Sequence, residues 1–255
     1  MAGPRGLSGI AVPGWRERFG AVAGVTDRSA GDLGLSPSTL DPTRDRWMAL
    51  SRDLGFSAMA TSRQVHGNGI AVHRAVSAGW SLLEGYDAHA TAQGGLLLTL
   101  TVADCIPVFL LDPVTRAIAL VHAGWRGTAA GILPETIETL VEHFDAQPAN
   151  IVIHFGVGIC GACYEVGPEV LKACGMPASP EAQGRLDLRA VLADQARAAG
   201  VRTLSASPFC SAHDARFFSH RASGGREGRM AAYLGWPEPA NRTRRRGLPL
   251  VVPGH

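Results

Sequence analysis

Residues 96–125, LLLTLTVADCIPVFLLDPVTRAIALVHAGW, decide how the chain is read. Apolar runs fill 96–102 and 105–111, and AIALVHAGW at 117–125 forms a third. Short apolar runs of this kind predict buried strands, the last of them ending in a turn. Further β-like runs lie at 57–62, 69–74, 150–155 (NIVIHF) and 201–204.

Working outward, three segments have helical patterning. Residues 42–55, PTRDRWMALSRDLG, can be capped by Asp41, started by Pro42 and stopped by Gly55. Residues 128–144 place Ile132, Leu133, Ile137, Leu140, Val141 and Phe144 at helical spacing. Pro134 inside that pattern either starts or kinks the helix. Residues 187–199 predict another helix, stopped by Gly200. There is no internal repeat or long linker, and the order of elements does not follow strict βαβ alternation. The expectation is a single α+β domain over 19–240. A flexible N-terminus at 1–18 would precede it, and a disordered basic tail at 241–255 (NRTRRRGLPLVVPGH) would follow.

Composition narrows the class. Hydrophobic residues make up 46%, so the core needs no disulfides, and a net charge of +2 gives no reason to expect a nucleic-acid partner. Lys172 is the only lysine and the other basic residues are arginines, which can clamp phosphate in a bidentate fork. No run of 18 apolar residues and no cleavage signature occurs, so neither a membrane span nor a leader is expected. Five cysteines, an odd number, argue against a secreted disulfide framework and for a reducing cytoplasm.

Reactive side chains concentrate in Arg63-Gln64-Val65-His66-Gly67, Ala103-Asp104-Cys105 and His122-Ala123-Gly124-Trp125-Arg126-Gly127. Two imidazoles and one thiolate suit zinc with an open fourth position. Their separations of 39 and 17 positions match no compact zinc motif. On spacing alone, His66 reads more readily as a turn residue than as a ligand, and Cys105 as a small packed side chain.

The words QVHG (64–67), TVADCIPVFLLD (101–112), HAGWRG (122–127), GICGACYEVG (158–167), FFSHR (217–221) and GRM (228–230) resemble the YfiH family. That family has also been labelled laccase-domain or multicopper polyphenol oxidase, and peptidoglycan editing factor. The resemblance runs from about residue 58 to residue 234. It implies one compact domain of layered mixed β-sheets flanked by helices. It implies zinc on His66, Cys105 and His122, with copper the lesser expectation. It also implies phosphorolysis of adenosine, inosine, guanosine or methylthioadenosine, together with deamination of adenosine.

Arg126, Arg63 and Arg221 are then candidates for holding phosphate. Tyr164 and Glu165 are candidates for the base or for proton transfer, and His220 for the wall of the site. Asp104 reads either as an acceptor for a ligand histidine's N–H or as a turn cap. His73, His143, His154 and His213 read as surface or satisfied core residues. The partners expected are purine nucleosides and phosphate, with the chain acting as a monomer. The sequence departs from the family pattern at Gly156-Val157, Cys210-Ser211 and Arg221-Ala222, where Gly-Pro, Cys-Thr and a double arginine are usual.

Three rival readings follow. A copper polyphenol oxidase would want His-x-His pairs, and none occurs among the nine histidines. A thiol or zinc hydrolase editing peptidoglycan precursors would use Cys105 as nucleophile with a nearby histidine as base. A purely structural zinc module would draw a fourth ligand from Cys160, Cys163 or Cys210. The Cys160-Gly-Ala-Cys163 pair also spells a redox motif, but without a thioredoxin-like context.

Overall fold

Side chains along a strand point alternately to opposite faces, and here that alternation sorts residues into layers. The computed structural model describes residues 8–36, 38, 40–179 and 183–238. Its strands are Gly9–Ala11 (β1), Val22–Thr26 (β2), Ala58–Arg63 (β3), Ile70–His73 (β4), Gly79–Glu84 (β5), Ala88–Thr91 (β6), Leu96–Val102 (β7), Ile106–Leu111 (β8), Ile118–Ala123 (β9), Val152–Phe155 (β10), Glu165–Val166 (β11), Gly184–Arg185 (β12), Thr203–Ala206 (β13) and Met230–Gly235 (β14). They build one six-stranded sheet in the order β1-β2-β14-β7-β3-β5 and a second in the order β13-β10-β8-β9-β6-β4, with β11 and β12 forming a small ribbon. Both large sheets are mixed: β3 runs parallel to β5 and β7, and β8 runs antiparallel to β9 and β10.

The helices are Trp15–Phe19 (α1), Leu40–Leu54 (α2), Trp125–Ala129 (α3), Ile132–Phe144 (α4), Pro168–Ala173 (α5), Leu188–Ala198 (α6) and His220–Ser223 (α7). On β7, Leu96, Leu98 and Leu100 pack between the sheets against Phe109, Leu111 and Leu120. Leu97 points the other way, to Trp47, Leu50 and Leu54 of α2. On β8, Val108 and Leu110 face Ile137 and Leu140 of α4 and Leu192 of α6. The order of layers is therefore helix, sheet, sheet, helices. This double coverage explains why β7, β8 and β9 read as near-continuous apolar runs.

Several expectations need correction. Within the stretch 1–18, expected to be flexible, residues 8–18 carry β1 and most of α1. β1 pairs with β2, and Trp15 of α1 is buried in the core between the sheets. Burying an aromatic side chain contributes about 3 kcal/mol, enough to hold a short helix in place. The helix expected at 128–144 is two helices, divided at Gly131, whose φ of 81° breaks helical geometry. Pro134 falls in the first turn of α4, where its missing N–H costs nothing. Asp41 lies inside the first turn of α2 and does not cap it. Asp187 does cap α6, accepting from the Arg189 and Ala190 amides. The tail at 241–255 lies outside the described residues. Among those residues no helix is long and apolar enough to cross a membrane.

Candidate active site

Three segments converge where the two sheets meet. β3, in the first sheet, runs on into Gln64, Val65 and His66. The Gln64 side chain acts as a surrogate strand: Nε2 donates to the Thr101 carbonyl at 2.7 Å, and Oε1 accepts from the Thr101 amide at 3.2 Å and hydroxyl at 2.8 Å. His66 then takes φ of 60°, a left-handed conformation unusual for a residue with a Cβ. Cys105 sits in the crossing from β7 in the first sheet to β8 in the second, next to Asp104 at φ of 87°. His122 is the fifth residue of β9, paired with Pro107 of β8.

The structure thus brings His66, Cys105 and His122 together, with one donor atom of each within 4.8 Å of the others. The imidazole centroids are 4.9 Å apart and edge-on. Gly124 makes room for the group. A Cβ there would stand 2.8 Å from Cys105 Sγ and 3.4 Å from His66 Cδ2. Among the described residues no fourth histidine, cysteine or carboxylate joins the trio. Cys160, Cys163 and Cys210, offered above as a fourth ligand, gather elsewhere with His213. Two imidazoles, one thiolate and an open side fit a zinc-sized ion.

Sequence reading missed Asp87, which holds the trio in place. Its fully buried carboxylate lies just before β6 in the second sheet. Oδ1 accepts from His122 Nδ1 at 2.8 Å and from the His66 amide at 3.0 Å. Oδ2 accepts from the Val65 amide at 3.1 Å and the Gly67 amide at 2.9 Å. The bond to Nδ1 fixes the His122 tautomer and leaves Nε2 for an ion. Burial favours the neutral acid, but the bond and charge of His122, with the loop amides, hold Asp87 below the usual carboxylate range.

Asp104 is not the acceptor for a ligand histidine. Its carboxylate binds the Ser211 hydroxyl at 2.7 Å, the Ser219 hydroxyl at 2.8 Å and the Arg221 amide at 2.6 Å, so it ties the FFSHR segment to the Cys105 turn.

Charges within the trio are coupled. Burial pushes the Cys105 thiol up, but the charge of His122 and hydrogen bonds from both histidines outweigh it and bring it down to about 6. Burial would lower His122, yet the Cys105 charge and the Asp87 bond raise it to about 10.

The trio opens into a cavity of about 790 Å³, a size that accepts a small-molecule substrate. Arg63, Arg126, Tyr164, His220 and Arg221 line it, as does Arg229, which sequence reading did not single out. Arg63 is engaged by Glu84 and by the Leu35 carbonyl. Arg126 lies over Trp125 at 4.4 Å and has no acidic partner among the described residues. Arg221 lies over the Tyr164 ring at 5.0 Å. Glu165 does not line the cavity. Its side chain is exposed on β11, and its carbonyl accepts from Arg221 at 2.6 Å. Burial, then the Cys105 charge, pushes the Tyr164 phenol up to about 12, so it stays a hydroxyl donor at neutral pH.

Comparison with known proteins places this geometry. Residues 24–237 match the family described as multi-copper polyphenol oxidoreductase laccase. A purine nucleoside phosphorylase of Streptomyces coelicolor is 34% identical, over 92% of this chain and 99% of its own. Another, of Deinococcus radiodurans, is 39% identical over 87% and 89%. The crystal structure of the Bacillus licheniformis protein YfiH superposes with a TM-score of 0.79 at 25% identity, covering 91% of this chain and 97% of that one. The chain belongs to the YfiH family of laccase-domain proteins.

Proposed function

We propose that the cavity is the active site of a zinc-dependent purine nucleoside phosphorylase. The observation that carries this reading is an open three-donor group set in the same cavity as an unpaired Arg126. The phosphorylase names of the two relatives support it. Zinc on His66, Cys105 and His122 supplies a fixed positive charge at the cavity wall.

The chain's own residues do the rest. Arg126 binds phosphate through charge-assisted hydrogen bonds, with Arg221 and Arg229 adding positive charge to the wall. A phosphate oxygen bonds to the anomeric carbon as the carbon–nitrogen bond to the purine breaks. The base leaves with the electron pair, and the Tyr164 hydroxyl, on the cavity wall, donates a hydrogen bond to it. The same site would serve removal of the adenosine amino group by water, giving inosine and ammonia. The substrate range of adenosine, inosine, guanosine and methylthioadenosine belongs to this proposal. So does a cytoplasmic setting, which the five free thiols support.

The label of a multi-copper oxidase finds less support in the donor set. Among the described residues the cavity group has two imidazoles, too few for a multinuclear copper cluster. A second reading rests on the Cys105 thiolate facing His122, the arrangement of a thiol nucleophile and base. A thiol hydrolase would keep its activity after chelation and lose it on alkylation.

The test is chromatography of adenosine incubated with the zinc-loaded protein, with and without phosphate. Adenine that appears only with phosphate supports phosphorolysis, and inosine supports deamination. If neither forms, the proposal fails.

A further inference from the structure

We propose that Cys160, Cys163, Cys210 and His213 form a second, structural zinc site. One donor atom from each lies within 4.8 Å of the others, and all three cysteines are free thiols. A tetrahedral zinc with Zn–S bonds of about 2.3 Å sets neighbouring sulfurs about 3.8 Å apart, so the four side chains converge closely enough to share one ion.

The ligands come from two short turns with the spacings Cys-x2-Cys and Cys-x2-His. In the first, the Cys163 and Tyr164 amides donate to the Cys160 carbonyl at 3.0 and 3.1 Å. In the second, the Asp214 amide donates to the Cys210 carbonyl at 3.2 Å. A parallel bridge between Gly158 and Cys210 and a bond from the Ser211 amide to the Gly158 carbonyl hold the turns side by side.

Two contacts have the character of a ligand shell. The Cys160 amide donates to Cys210 Sγ at 3.2 Å, and His213 Nδ1 lies 3.3 Å from Cys163 Sγ. Three thiolates and a neutral imidazole would give the zinc complex a single negative charge. The half-buried Arg189 offsets it, its guanidinium donating to the Gly158 and Phe209 carbonyls that flank the two turns. With every position filled by protein, this site has no opening for substrate, unlike the trio in the cavity. It staples the segment that carries Tyr164 to the loop whose Ser211 binds Asp104. The inference does not depend on the reaction catalysed in the cavity.

Zinc content of the full chain, purified under reducing conditions after growth with ample zinc, tests it. Wild type is expected to carry two ions per chain. Cys105→Ser should retain one, and the double variant Cys160→Ser/His213→Ala should also retain one while keeping nucleoside turnover if the cavity reading holds. A wild type carrying a single ion that Cys105→Ser abolishes would overturn the proposal, as would a double variant that still carries two. Should the double variant not fold, alkylation mapped by mass spectrometry on wild type decides. Protection of Cys160, Cys163 and Cys210 that vanishes on chelation supports the site. Alkylation indifferent to zinc, or a disulfide among the three in reduced protein, overturns it.

Discussion

Replacing Asp87 by asparagine tests the arrangement that orients the trio. The carboxylate gives two acceptor oxygens to four N–H donors. The amide gives one oxygen and one NH2, so two donors lose their acceptor whichever way it turns. The milder choice keeps His122 Nδ1 and the His66 amide satisfied and orphans the Val65 and Gly67 amides. Each lost bond then costs about 1 kcal/mol, since water can reach this half-exposed loop. A total of about 2 kcal/mol lowers Tm by about 4–8 °C in a domain of this size. Losing the charged partner of a ligand histidine should weaken zinc binding about 10–100-fold. Circular dichroism melting gives the first quantity, and competition with a chromophoric chelator gives the second. If Asp87→Asn melts with wild type and binds zinc within twofold of it, the carboxylate does not hold the site together.

Other outcomes follow from the same geometry. Gly124→Ala should cut zinc affinity at least about tenfold, since its Cβ would press on Cys105 Sγ, while the melting temperature of the metal-free chain barely moves. Chelator competition and melting on one preparation check both halves. Arg126→Ala should raise the KM for phosphate about 10–100-fold, the worth of a charge-assisted hydrogen bond, and leave the nucleoside KM nearer wild type; steady-state kinetics at varied phosphate would show it. Burial holds His154 down at about 4 and His89 at about 3, both neutral in the fold. The unfolded chain takes up these protons near pH 6.5, so stability is full above that value and falls as pH drops. The fall is about 1.4 kcal/mol per pH unit for each histidine, ending near pH 4 for His154 and near pH 3 for His89. Urea unfolding at pH 7 and pH 5 measures the slope, and His154→Leu should lessen it.

The parts of the fold legible in the sequence are those whose burial is uniform. β7, β8 and β9 are covered on both faces and spell their own boundaries. By contrast, β6 (AHAT) and β14 (MAAYLG) hold few β-branched or aromatic residues, and pairing in the sheet makes them strands. The three ligand candidates were legible because family words enclose them. Asp87 was not, because its separation of 35 positions from His122 is closed only by the pairing of β6 with β9. His213 read as a surface residue for a similar reason: it is exposed, and its cysteine neighbours on the first turn lie about 50 positions away.

His66 hangs from one sheet, His122 from the other, and Cys105 from the strap between them. An ion gripped by all three is a rivet through both plates of the sandwich. Because only the closed sandwich could grip it, zinc bound as proposed, at about a thousand times its dissociation constant, would add about 4 kcal/mol against prying the plates apart. A chelator should therefore behave toward this molecule as a denaturant, loosening hydrophobic layers it never touches.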